Sequence, residues 1–263
     1  MKRWSHLVAL IPFLAIPALA PAEQAAAPTP ESIIGWAPCA DYKLATYEQI
    51  AEYFRVLDRA TDRMQLVDIG QTAEGRTQLM AIISSEANMQ NLDRYKEISQ
   101  RLARARATED EAQALVDEGK AIVWVDFGLH STEVAHAQTA PWMAYNAVTE
   151  ETEEMRFIRD NVIFLLVPNM NPDGTTLVAD WYMQHVGTEY EDAPLPELYQ
   201  KYVGHDNNRD WFMFNQPESQ NIGRQLYQEW FPQIVYNQHQ TGPFPSRIFI
   251  PPFAEPVNPN IPP

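Results

Sequence analysis

Three residues have the types and spacing of a metal site. His130 and Glu133 form a His-x-x-Glu pair just past an apolar run, and His239 closes a later one. Catalytic zinc commonly takes two imidazoles and one carboxylate, which leaves a fourth position for water. The short spacing also fits a plainer role, in which His130 caps a strand or helix and Glu133 is a first-turn carboxylate favoured by the helix dipole. Position favours the metal. Gly128 stands just ahead of the pair, a buried strand lies behind it, and His239 stands at the exit of another strand. Cys39 is the only cysteine, so an internal disulfide and a thiolate cluster are both ruled out, and any metal must use imidazole and carboxylate. His136 and His185 are weaker ligand candidates; His136, one turn after Glu133, reads better as a partly buried helix residue.

Two further segments carry chemistry-bearing groups. Residues 169–174 read Asn-Met-Asn-Pro-Asp-Gly directly after a strand, a strong turn signal in its own right. Asn207-Asn208-Arg209-Asp210-Trp211 sets a guanidinium among short amides. Arginine suits a carboxylate held by two parallel hydrogen bonds, the group that a peptide C-terminus presents. The alternative is an ion pair of Arg209 with Asp206 or Asp210.

These groups need a frame. Residues 47–57 have apolar positions at helical spacing with Thr46 as N-cap, and residues 65–70 and 78–84 read as a hairpin around the Ala73-Glu74-Gly75-Arg76 turn. Residues 91–105 and 108–118 read as polar amphipathic helices, the second closed by Gly119. Residues 121–127 and 161–167 are short apolar runs, as strands covered on both faces require, and 233–236 is a third strand that delivers His239. Helices are expected over 134–149, with a kink at Pro141, and over 218–230. The alternation implies an α/β fold with a mixed, largely parallel twisted sheet and helices on both faces. Functional groups in such sheets sit at the strand ends.

The chain of 263 residues is long enough for one sizeable core. Its formal net charge of −16 sets it against nucleic acid and anionic lipid as partners. Lys2 and Arg3 precede an apolar run over 7–19, and Ala20-Pro21-Ala22 supplies small residues for a signal peptidase. Residues 1–22 are therefore expected to be a signal peptide cleaved before Glu23, with the mature chain exported to the periplasm or outside the cell. The run is too short and too Pro-broken for a comfortable span, and no later segment is long and apolar enough to cross a bilayer. Residues 23–40 read as an Ala/Pro-rich linker and 41–263 as the N-terminal portion of a folded domain.

Taken in order, Gly-Leu-His-Ser-Thr-Glu, then Asn-Pro-Asp-Gly after a strand, then Asn-Arg before an aromatic, then a strand ending in His is similar to the zinc carboxypeptidases of the carboxypeptidase A/B type. The resemblance runs from about Tyr47 to the end. It implies one Zn²⁺ per chain held by His130, Glu133 and His239, and a peptide or protein substrate whose terminal carboxylate is held by Asn208 and Arg209. It also implies cleavage by metal-activated water, with a separate glutamate as general base. Three departures accompany it. The family's additional Arg between the Asn-Pro-Asp-Gly turn and the Asn-Arg pair has no counterpart between Gly174 and Asn208, where His185 or Lys201 is the available substitute. Asp210 stands where Asn is common. Only residues 240–263 follow the last histidine, and Glu255 is too close to serve as the base, which is therefore expected beyond Pro263. The chain is accordingly read as the N-terminal portion of a longer enzyme, inactive alone. A related amidohydrolase, deacylase or cell-wall peptide hydrolase, or a non-catalytic zinc- or peptide-binding module, is the alternative.

Overall fold

The computed structural model describes residues 27–199 and 206–241. A helix at Pro30–Ile34 (α1) and another at Tyr47–Arg59 (α2) precede the hairpin Met64–Gln71 (β1) and Thr77–Ile83 (β2). Helices at Glu86–Met89 (α3), Leu92–Ala103 (α4) and Glu109–Glu118 (α5) lead to the strand Ala121–Asp126 (β3). Helices at Val134–Thr149 (α6) and Glu153–Asn161 (α7) then reach Val162–Val167 (β4), which is followed by the helix Pro172–His185 (α8). A 3-10 turn at Asn207–Arg209, the helix Pro217–Arg224 (α9) with a π-helical continuation at Gln225–Trp230, and Ile234–Asn237 (β5) complete the described part.

The strands form one mixed sheet in the order β1-β2-β4-β3-β5. β2 pairs antiparallel with β1 and with β4, whereas β3 runs parallel to both β4 and β5. Parallel pairing is the decisive feature for the site. It brings the C-terminal ends of β3 and β5 to the same edge of the sheet, so the residues that follow each strand meet there.

Strict alternation splits the apolar side chains between two layers. Val125, Phe127 and Leu166 pack with Ile50, Phe54, Ala140 and Ala144 beneath α2 and α6. Ile122, Trp124, Ile163, Leu165 and Val167 pack on the other face with Ile222, Leu226 and Trp230. Fully burying one such side chain contributes about 1.5–3 kcal/mol. The helix starts follow capping chemistry: Thr46 and Thr108 each form a capping box, with Gln49 and Glu111 respectively.

Sequence periodicity and structure differ at three places. Residues 23–40 were expected to be a linker, but the described part of that segment carries α1, capped by Thr29 with Pro30 in its first turn, and Ile34 enters the core beside α2. A helix of five residues is too short to display a 3.6-residue period. Asn-Pro-Asp-Gly is the start of α8 rather than a simple turn. Asn171 Oδ1 accepts the Gly174 N–H at 3.0 Å and Pro172 occupies the first turn, so residues that favour turns here act as a helix N-terminus. The helix expected over 218–230 begins as α9 and changes to π-helical hydrogen bonding at Gln225. No described helix is long and apolar enough to cross a membrane. The proposed signal peptide, Lys201 and Glu255 lie outside the described residues.

Candidate metal centre

The site is built where β3 and β5 end. After Asp126 the chain turns sharply at Gly128, whose φ is +69°, and a Cβ at this position would stand 2.6 Å from the Asn169 side chain. Glycine is required on both counts, backbone handedness and space. The turn then closes with the Glu133 N–H donating to the His130 carbonyl at 3.0 Å, and α6 begins immediately afterwards. His130 and Glu133 thus leave the same tight turn, while β5 delivers His239 from the neighbouring strand.

Glu133 is the centre of the group. Its Oε1 lies 3.0 Å from His130 Nδ1, and its Oε2 lies 3.2 Å from His239 Nδ1. The Gln240 backbone N–H donates to the same Oε2 at 2.8 Å. One ligand atom from each of His130, Glu133 and His239 lies within 4.8 Å of the others. Ligands of one tetrahedral zinc are separated by about 3.3 Å, so the two Glu133 contacts already have the right spacing. Burial works to raise the Glu133 carboxyl, but the Gln240 N–H and the His130 ring outweigh it and hold the group below the ordinary glutamate range. An ionised carboxylate between two imidazoles suits a cation.

The remaining nitrogen of His130 identifies a residue that spacing did not reveal. Nε2 lies 2.9 Å from Asp206 Oδ1, and the same oxygen accepts the Asn208 N–H at 2.8 Å. Each ring nitrogen of His130 therefore faces a carboxylate, Glu133 at Nδ1 and Asp206 at Nε2. Asp206 also stays below the usual aspartate range, because the Asn208 N–H and His130 outweigh its burial. The available signal was an acid directly before the Asn-Asn-Arg run. It read as a partner for Arg209 only because nothing in the local sequence connects it to His130.

The 3-10 turn that Asp206 caps carries Asn208, half-buried, and Arg209, exposed, whose Nη1 donates to the Asn208 carbonyl at 3.1 Å. Asn207 is buried and donates to the Leu129 carbonyl, which ties this turn to the His130 loop. Asp210 is fully buried and accepts the backbone N–H groups of Asn215 and Gln216. His136 is buried, as its helix position suggested. Its Nδ1 accepts the Gly128 N–H at 2.8 Å and its Nε2 stands 3.4 Å from Glu133 Oε2. Accepting that bond on Nδ1 leaves Nε2 to carry the ring proton, and burial lowers the basicity of the ring. His185 is not part of the cluster: its Nδ1 donates to the Trp181 carbonyl and its ring packs on that indole.

The zinc carboxypeptidase family model matches residues 50–240. The chain belongs to the zinc carboxypeptidase family. Solved structures with similar folds include a metallo-carboxypeptidase from Burkholderia cenocepacia, 18% identical over 70% of this chain and 38% of that one, with a TM-score of 0.45. Carboxypeptidase A from Helicoverpa armigera is 18% identical over 73% of this chain and 47% of its own, with a TM-score of 0.43. A metallo-carboxypeptidase from Pseudomonas aeruginosa, in complex with (2-guanidinoethylmercapto)succinic acid, is 16% identical over 74% and 40%, with a TM-score of 0.45. The chain therefore spans less than half the length of each of these structures. No curated protein matches it.

Proposed function

We propose that the protein is a zinc-dependent carboxypeptidase that hydrolyses peptide bonds at or near the C-terminus of peptides. The observation that carries this reading is the pairing around Glu133. His130, Glu133 and His239 each bring a ligand atom within 4.8 Å of the others, and with the His130 proton on Nε2 toward Asp206 its Nδ1 would stand 3.0 Å from Glu133 Oε1 as a second donor atom for a cation. His130, Glu133 and His239 would hold zinc. When bound there, the ion polarises the scissile carbonyl and acidifies water. Asp206 keeps His130 in the ligating tautomer, and His136 presents an N–H toward the carboxylate ligand.

Arg209 and Asn208, carried on the turn that Asp206 caps, hold the substrate's terminal carboxylate and so select chain ends. A cavity of about 550 Å³ beside Thr132 and Val134, lined in part by Leu44, Val178, Trp181 and Leu195, gives room for a substrate side chain next to the ligand turn. No general base is assigned among the described residues. The test is a comparison of one peptide with a free and with an amidated C-terminus, using the full-length protein. Losing a charge-assisted contact of about 1.5–3 kcal/mol should lower kcat/KM for the amide by at least tenfold. Equal cleavage of both would transfer the reading to an amidohydrolase, deacylase or cell-wall peptide hydrolase.

We also propose that the protein is exported, on the Lys2-Arg3 start, the apolar run over 7–19 and the Ala20-Pro21-Ala22 site. Protein purified from its native host should then begin at Glu23. A mature chain that retains Met1 or Lys2 rejects this.

A further inference from the structure

Asp126, the last residue of β3, is 2% exposed and belongs to the sheet face that carries Trp124. Its Oδ2 accepts the Trp124 indole N–H at 2.6 Å, and its Oδ1 accepts the side-chain amide of Asn237. Asn237 is its register partner across the β3–β5 ladder, and the Asp126 main-chain carbonyl accepts the Gln238 N–H at 3.2 Å. A carboxylate at this depth is costly unless its oxygens are satisfied, and burial pushes the group up to about 6. Here both oxygens are satisfied, one from Trp124 on its own strand and one from Asn237 on β5.

What these bonds hold is β5. Among the described residues its side chains find little cover, since Ile234, Val235 and Tyr236 are 57%, 53% and 57% exposed. Among the described residues the strand is tied down by its four-residue ladder to β3 and by a side-chain clasp at each end, the Asn237 amide also reaching Met170 Sδ at 3.6 Å. At the start, Gln233 donates its N–H to the Ile122 carbonyl at 3.0 Å and accepts the Ile122 N–H on Oε1 at 2.6 Å. At the finish stand Asp126 and Asn237, four residues before His130 on one strand and two before His239 on the other.

We propose that the Asp126–Asn237 clasp sets the distance between the His130–Glu133 turn and His239, which makes Asp126 a positioning residue of the metal centre. The proposal rests on the zinc reading above. It predicts that the pair works by complementarity of donor and acceptor, so its polarity can be reversed. In Asp126→Asn alone, the new amide has one acceptor oxygen for two facing donors. In the exchange Asp126→Asn with Asn237→Asp, the amide oxygen introduced on β3 accepts from Trp124, while the amide nitrogen beside it donates to the carboxylate introduced on β5.

Zinc affinity of the full-length protein, measured by competition with a chromogenic chelator, is the readout. Asp126→Asn is expected to weaken binding about 10–100-fold, the usual effect of removing an outer-shell partner, and the exchange should return it to within about threefold. Denaturation of the metal-free proteins separates this from general destabilisation, because a merely structural role leaves the affinity of the folded fraction unchanged. Should Asp126→Asn fail to fold, Asn237→Ala replaces it and is expected to show the same loss. Unchanged affinity in the single variants, or an exchange variant as weak as the single ones, overturns the clasp. Failure of the unsubstituted protein to bind zinc overturns the zinc reading and the clasp together.

Discussion

Replacing His239 by alanine is expected to reduce bound zinc from near one per chain to a small fraction of that. Two ligands from a single turn, His130 and Glu133, remain, and a two-ligand remnant is a poor zinc site. The loss in affinity should exceed the roughly 100-fold that outer-shell substitutions reach, since a direct ligand is removed. Metal analysis of the purified protein after dialysis against a weak chelator gives the answer. The substitution should leave the fold intact, because His239 is partly exposed and lies beyond the last rung of β5. Full zinc occupancy in the variant would mean that a different residue completes the triad.

The second large effect concerns stability. Asp173, in the first turn of α8, is almost completely buried and binds the β1–β2 turn at three points. Its Oδ1 accepts the Thr72 hydroxyl at 2.8 Å and Arg76 Nη1 at 2.9 Å, and its Oδ2 accepts the Glu74 N–H at 2.9 Å. Asp173→Ala leaves the Thr72 hydroxyl and the Glu74 N–H without this partner. Arg76 keeps Glu48 and its own neighbour Glu74, so the guanidinium is not stranded. The expected loss is about 2–4 kcal/mol, the range for removing an acceptor that serves a buried cluster of charged and neutral donors. Urea denaturation of the metal-free protein measures it. Asp173→Asn, which keeps an acceptor oxygen, should lose less than half as much. A loss below about 1 kcal/mol for the alanine variant would show that the cluster is replaceable by water.

These two residues illustrate how unevenly the molecule could be read in advance. That His130, Glu133 and His239 come together was legible because each follows a recognisable apolar run, and the parallel pairing of β3 with β5 needs only that alternation of strands and helices to be anticipated. The core strands were legible for the same reason: a run such as Val162–Val167 has no polar face to give to solvent. Asp173 was visible only as part of a turn. Its Pro-Asp-Gly context has the same local chemistry whether the chain turns back or enters a helix, and the choice is made by what its carboxylate finds on the β1–β2 turn. Asp206 carried no signal beyond its place before Asn207-Asn208-Arg209, and Asp126 none at all. The first lies 76 residues from the imidazole it orients, and the second 111 from the amide it holds.

Sequence by itself thus determined which residues are ligand types, which strands carry them and that the sheet is mixed, because side-chain chemistry and hydrophobic period are local properties. Tertiary structure alone decided which acids meet those side chains and their strands, since a hydrogen bond depends on where a chain arrives in space, and residues 76 or 111 apart are brought together only by the sheet that folds between them.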